Sequence, residues 1–273
     1  MELPPGRTVH PPQRGLIRLE TIAPLLPDGI TPAIAGLLAV ASFFTSALTA
    51  SFGVGGGVAM LALMGLFMPV AALIPVHGAV QLGSNSGRAW HQRAHVRMDI
   101  ALPFILGSVV GAIAGAFVVV QLPDALLKIV LGAFIILITW FTIPGIQRAG
   151  RAGLAAASAA VAVLSMMVGA TGPIVSPILA QFLAGDRKAL VATHAAAMVA
   201  QHSLKIVVFG LAGFVFRDWL WLIGAMIVSG YLGTVYGSRM LDRLDESSFR
   251  KWFRVGITLL ALDLLRRGIM GLV

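Results

Sequence analysis

The sequence lacks cysteine and is poor in charged side chains. None of its 273 residues is cysteine, which excludes disulfides, thiolate metal sites and a cysteine nucleophile. Only 11% of the residues are charged, whereas a soluble domain carries about a quarter. Hydrophobic residues make up 58% of the chain and occur in long continuous runs, so the composition predicts helices that cross a bilayer several times.

Further absences narrow the function. No GxxxxGK motif occurs, so the chain is not expected to hydrolyse ATP through a P-loop. The basic residues behind the net charge of +9 lie mostly in short loops, so nucleic acid is not an expected partner. No apolar run has an acidic residue near its middle, so proton coupling would need a histidine or the substrate's own proton. We predict no cofactor and no metal.

Two glycine breaks interrupt the apolar runs. One lies in SFGVGGGVAML at 51–61, and the other lies in VGATGPIV at 168–175. Each precedes an apolar segment that, as a helix, reaches about 18 Å, little more than half of the hydrocarbon core. Such a helix would aim its amide end at the middle of the membrane, where it favours an anion. The residues expected at the site from these breaks are Gly55, Gly56, Gly57, Thr171 and Gly172.

The two breaks belong to a predicted internal duplication. Matching His77 with His194 along the chain also matches Arg88 with Lys205. Duplicated halves that each contain an interrupted helix are typical of secondary transporters. The predicted fold is an all-α polytopic membrane protein with two homologous half-repeats, each with a glycine-broken or re-entrant helix. Its predicted parts are a polar N-terminal tail or interfacial segment at 1–31, a first transmembrane repeat at 32–147 and a second at 152–269.

The helix after each break carries a polar stripe. His77, Ser84 and Arg88 fall on one face of a helix, flanked by Gln81 and Asn85. A polar stripe that ends in a cation, present twice, is what an anion path through a bundle requires. Each histidine is equally explained by an interhelical hydrogen bond, and the arginine by snorkelling to the lipid headgroups. The second stripe consists of His194, Gln201, His202 and Lys205.

The chain resembles the sulfite exporter TauE/SafE family, also called the toluene sulfonate uptake permease family. The resemblance is carried by SFGVGGG, by the histidine- and serine-bearing helix after it, by an arginine-rich loop that ends in VRMD, and by GSVVGAIAG. It covers about 33–267. It implies a multi-pass carrier in the bacterial inner membrane for small sulfur-containing anions such as sulfite or organosulfonates. The second glycine cluster is thinner than the family pattern, which bears on the substrate.

The sequence leaves several alternatives open. A membrane-embedded hydrolase would use Ser84 or Ser86 activated by His77 or His194, although no carboxylate stands nearby to orient the histidine. A membrane assembly protein that transports nothing is a third class. A break within one crossing gives eight crossings and parallel repeats, whereas a re-entrant hairpin gives six crossings and inverted repeats. The expected partners are the bilayer, a small anion and, as a candidate coupling ion, the proton; the oligomeric state stays open.

Overall fold

The described part of the chain is entirely helical apart from turns and connections. The computed structural model describes residues 25–52, 55–119, 123–141, 150–183, 185–240 and 246–272. No strand occurs in these ranges, which confirms the all-α prediction. The first 24 residues of the predicted tail and two residues of the first glycine break, Gly53 and Val54, lie outside them.

Ten α-helices and two short 3-10 turns make up this described part. The turns are Arg93–His95 and Phe216–Trp219. In chain order the helices are α1 (Pro32–Phe52), α2 (Gly56–Phe67), α3 (Val70–His91), α4 (Met98–Val119), α5 (Asp124–Trp140), α6 (Gly150–Val168), α7 (Gly172–Ala180), α8 (Arg187–Leu211), α9 (Leu220–Met240) and α10 (Glu246–Met270).

Five of these helices are long and apolar enough to cross a membrane, namely α1, α4, α6, α8 and a span that includes most of α9. Large apolar side chains such as Phe44, Phe117 and Trp221 are exposed on them, as lipid-facing side chains are. The predicted half-length helices are observed as α2, with 12 residues, and α7, with 9. The chain is therefore a multi-pass membrane protein.

The first glycine break turns the chain back on itself. The Thr45 hydroxyl in α1 lies 3.7 Å from the sulfur of Met60 in α2, and a Cβ atom on Gly56 would meet the side chain of Thr49. Later residues of α1 thus face earlier residues of α2, so the two helices are antiparallel. Gly55 permits the turn with a φ of 108°, a value that L side chains rarely adopt. The segment is a hairpin of two antiparallel helices rather than one interrupted helix that continues in the same direction.

The second break makes a hairpin of the same kind. α6 runs parallel to α4, because Cβ atoms on Gly107 and Gly111 would meet the carbonyl oxygens of Ala155 and Ala159 in turn. α8 also runs parallel to α4, as two hydrogen bonds spaced along both helices show. These are Arg97 N to Thr193 Oγ1 at 3.0 Å and Gln201 Nε2 to Ser108 Oγ at 3.4 Å. Since α6 and α8 point the same way, the short α7 that connects them runs in the opposite direction.

The remaining directions give the two halves opposite orientations. α1 and α9 are parallel, because Ser42 donates to the carbonyl of Met226 at 2.7 Å and the Ser46 hydroxyl lies against Gly230 one turn further on. α3 and α8 are antiparallel, because Lys205 lies against Gly78, whereas the earlier residue Thr193 bonds to Arg97 beyond the end of α3. Helices α1 and α3 therefore oppose their counterparts α6 and α8, as inverted repeats require. The duplication of the sequence itself stays a prediction.

Candidate functional site

A small cavity lies where the two hairpin tips meet the middle of the bundle. Its volume is about 40 Å³, room for a few water molecules or one compact ion. Both halves of the chain contribute to its wall. The predicted site residues that line it are Gly55, Gly57, His77, Gln81, Asn85 and Arg88 from the first half, and Gly172, His194 and His202 from the second.

The amide ends of both short helices open into this cavity. Gly57 and Val58 in the first turn of α2 line it, and so do Gly172 and Pro173 in the first turn of α7. Neither helix has a side-chain hydrogen bond that caps its N-terminus. Amide hydrogens in a first helical turn carry partial positive charge and are free for a ligand where no other group accepts them. In α7, Pro173 has no amide hydrogen and Ile174 N donates to the carbonyl oxygen of Thr171 at 2.9 Å, so Gly172 supplies the amide at this end. The cavity therefore lies between two uncapped positive helix ends.

Each half fastens its hairpin tip with a histidine. His77 Nε2 lies 2.9 Å from the carbonyl oxygen of Gly57, and His194 Nε2 lies 3.3 Å from that of Gly172. A carbonyl oxygen can only accept, so these contacts assign the hydrogen of each imidazole to Nε2. At His77 the 2.9 Å contact with the carbonyl is preferred to the 3.3 Å contact between Nε2 and the side-chain nitrogen of Gln81. The two histidines thus position the amide ends by holding backbone groups next to them.

Arg88 is a cation at the cavity wall. Its Nε is buried and has no hydrogen-bond partner within the part of the chain that the structure describes. No aspartate or glutamate is among the residues that line the cavity. The sequence allowed either snorkelling or an anion path for this side chain. Its place at the wall fits the anion path, because an unpaired guanidinium retains donors for a ligand.

Five predicted residues lie off the cavity wall. Thr171 donates from its hydroxyl to the side-chain oxygen of Gln201 at 3.1 Å, so these two residues pair with each other. Lys205 is fully buried behind the second tip. Gly56 packs against α1, and Ser84 is half-buried on α3 outside the wall.

Sequence reasoning missed five residues of the wall. Met198 is the position that matches Gln81 when the halves are superimposed on their histidines, so the predicted repeat contained the signal for it. The other four residues are small or apolar, and no pattern in the sequence predicted that they would line a site. The missed residues are Thr49, Val58, Ala170, Pro173 and Met198.

The hydrolase alternative finds no geometric support at the serines. Within the described residues no hydrogen bond joins Ser84 or Ser86 to either hairpin histidine. The Nε2 atoms of His77 and His194 both donate to carbonyl groups, so those atoms cannot accept a proton from a serine.

The model of a known family matches nearly the whole helical region. It is the family described as sulfite exporter TauE/SafE, and the match covers residues 38–264. The chain belongs to this family. TauE/SafE proteins form a family of membrane transporters, so the resemblance seen in the sequence is confirmed. No curated protein and no solved structure matches the chain.

The TauE/SafE match includes every helix that forms the cavity. It begins within α1 and ends within α10, so both hairpins and both polar stripes fall inside it. The cavity is thus part of the region that defines family membership.

Proposed function

We propose that this TauE/SafE protein is a secondary transporter of a small sulfur-containing anion, such as sulfite or an organosulfonate, and that the cavity is its substrate site. The single observation that carries the proposal is Arg88 at the wall of a cavity that also receives two uncapped helix N-termini. Transport of this kind needs no covalent chemistry, so we propose that the protein is not an enzyme.

Electrostatics favour an anion in this cavity. Backbone amides and a guanidinium supply hydrogen-bond donors, and both the helix ends and Arg88 supply positive potential. No carboxylate on the wall opposes them. The amide groups of Gln81 and Asn85 add neutral donors that adapt to the oxygens of the ligand.

The size of the cavity favours a compact ligand. A volume of about 40 Å³ is close to that of a few waters, so a bulky aromatic sulfonate would need the hairpins to separate. Sulfite and small alkyl sulfonates are therefore the preferred candidates. The pocket walls come from both halves, and opposite movements of the two halves would expose the site to one side and then the other.

The observed helix directions also give an orientation. α3, α5, α7 and α9 end at the face where α4, α6, α8 and α10 begin. The sequence beside these ends contains more lysine and arginine than the sequence beside the opposite ends. By the positive-inside rule, we propose that this face is cytoplasmic and that the membrane is the bacterial inner membrane.

The proposal is tested by binding and by uptake. Purified protein is screened by thermal shift with sulfite, thiosulfate, sulfoacetate, taurine and sulfate, and hits are measured for uptake into liposomes. Arg88→Gln is expected to weaken binding of the best anion at least about tenfold, the loss of one charge-assisted bond of about 1.5 kcal/mol or more.

A matched variant separates loss of the site from loss of one surface charge. Arg93→Gln removes an exposed arginine that lies over the ring of Trp90, near the end of α3 and away from the cavity. It is expected to bind as the wild type does. Wild-type binding by Arg88→Gln, or no response of the wild type to any of the anions, would contradict the proposed site.

A further inference from the structure

A cluster of three titratable groups, Lys205, His77 and His202, extends from the wall of the anion cavity into the bundle behind it. Lys205 is fully buried in α8, and its Nζ donates to the carbonyl oxygen of Gly169 at 2.5 Å. The side chain of Lys205 passes over α3 at Gly78, where a Cβ atom on the glycine would lie only 2.9 Å from the lysine Cδ. No salt bridge to a carboxylate is found for this lysine in the described part of the chain, and it does not line the cavity.

Two imidazoles accompany the lysine. The rings of His77 and His202 face each other edge to face, with centroids 6.2 Å apart. The Nδ1 atoms of both are buried and have no hydrogen-bond partner among the described residues. His77 has its hydrogen on Nε2, so its Nδ1 carries a free lone pair. That atom also faces the second tip, since a Cβ on Gly169 would lie 3.8 Å from it.

We propose that Lys205, with His77 and His202, forms a proton site that fills when an anion enters the adjacent cavity and empties when it leaves; this rests on the proposed function. Among the described residues, this buried ammonium bonds to a carbonyl and to no carboxylate, so it lacks a counter-charge there. A bound anion supplies one and stabilises the protonated cluster. A proton from water then occupies the lone pair of Lys205 Nζ or of an imidazole Nδ1, and it returns to water when the anion departs.

The surrounding charges set the direction of this coupling. Arg88 stays protonated throughout, because a guanidinium does not titrate in proteins. His194 in α8 is the remaining titratable side chain among the residues that line the cavity. The charged groups of α4 and α6 lie in their first turns, where Asp99 and Arg151 pair with each other at 3.6 Å. Along α4, along α6 and among the residues that line the cavity, the described part of the chain therefore places no carboxylate that would compete with the anion.

Linkage fixes the sign of the pH effect. If binding takes up a proton, the affinity for an anion of fixed charge must rise as pH falls. Two cations in one buried cluster repel each other, so we expect the uptake to approach one proton per anion and not to exceed it. Anion and proton would then be transported together. For a monovalent anion the transported pair would carry no net charge.

The experiment measures protons and anions together. Titration calorimetry of purified wild type with methanesulfonate, whose charge is fixed, is run in buffers of different ionisation enthalpy between about pH 6 and 9. We expect uptake of up to about one proton per anion. Lys205→Arg keeps the charge but holds its proton, so it should bind and lose at least half of the uptake.

Two further variants keep the test decisive. Lys205→Met removes the ammonium and keeps a side chain of similar volume. The affinity of this variant for methanesulfonate should lose most of its dependence on pH. It tests the proposal even where Lys205→Arg does not fold. Lys128→Met, which removes a lysine paired with Asp124 at 2.6 Å, should keep wild-type uptake.

The outcomes separate this inference from the proposed function. Tight binding by the wild type with no proton uptake would overturn the proton site and leave the transporter proposal intact. Wild-type uptake in both Lys205 variants would overturn the assignment to Lys205. No binding of methanesulfonate, sulfite or thiosulfate by the wild type would overturn both.

Discussion

The imidazole of His77 donates from Nε2 to the carbonyl oxygen of Gly57, 2.9 Å away, and so fastens α3 to the first hairpin tip. His194 and Gly172 show the same relationship at 3.3 Å in the second half. These bonds hold the amide ends of α2 and α7 against the cavity. We therefore expect each histidine to act on the anion by positioning backbone groups, and to matter for stability as well as for binding.

Removal of either histidine should destabilise its hairpin. His77→Ala leaves the Gly57 carbonyl without its partner and is expected to lower the free energy of unfolding by about 1–3 kcal/mol. His194→Ala should have the smaller effect, because its hydrogen bond is longer. Thermal unfolding in detergent measures both. Equal stability of both variants and the wild type would show that the histidines do not fasten the tips.

A methyl group at Gly172 should fill part of the cavity without disturbing the fold. A Cβ atom there would lie 3.7 Å from His194 Nε2, an ordinary contact distance, and the residue lines the cavity. We expect Gly172→Ala to keep wild-type thermal stability and to weaken binding of sulfite or methanesulfonate several-fold. Gly36→Ala, which meets nothing within 4 Å, is the control and should bind normally. Unchanged affinity in Gly172→Ala would place the ligand elsewhere.

The contact between α4 and α6 depends on glycine. A Cβ atom on Gly111 would collide with the backbone carbonyl of Ala159, which cannot move aside as a side chain can. Gly111→Ala is expected to cost about 1–3 kcal/mol of stability, the usual effect of overpacking. Gly224→Ala in α9, with open space around it, should be neutral or slightly stabilising. Similar melting temperatures for the two variants would contradict this packing.

The sequence predicted the polar stripe of α3 better than the details of its face. His77 and Arg88 line the cavity as expected, but the residues between them on the wall are Gln81 and Asn85 and not Ser84. Helical spacing places all of these side chains within a broad arc. The position of the hairpin tips decides which edge of that arc meets the cavity, and this depends on contacts distant in sequence.

The glycine breaks were visible in the sequence, but the reason for each glycine was not. The sequence predicted Gly56 at the anion site, together with the amide end of the short helix. In the structure Gly56 lies against α1, where a Cβ atom would collide with the carbonyl oxygen of Thr45. A larger side chain at this position would disrupt the hairpin itself, so a loss of binding in such a variant would not report on the anion site. Gly55, Gly57 and Gly172 are the glycines at the cavity wall.

Arg88 and Lys205 show a similar limit. Their matching positions predicted two equivalent cations along one path. Arg88 lines the cavity, whereas Lys205 points behind the second tip to the carbonyl of Gly169. A long flexible side chain takes the direction that its neighbours allow, and Gly78 provides the space for this one. No pattern in the sequence indicated that space.

The hairpins make a prediction about sidedness that distinguishes them from broken crossings. With re-entrant hairpins the turn at Ala94 and the turn at Val215 lie on opposite sides of the membrane, whereas eight crossings would place both on the same side. The chain has no cysteine, so Ala94→Cys and Val215→Cys each introduce a single thiol at an exposed position. In intact cells an impermeant maleimide should label Val215→Cys, and it should label Ala94→Cys only after permeabilisation, because the positive-inside rule makes the Ala94 face cytoplasmic. Labelling of both thiols from the same side would refute the inverted arrangement, and labelling of Ala94→Cys alone in intact cells would reverse the orientation while keeping the hairpins.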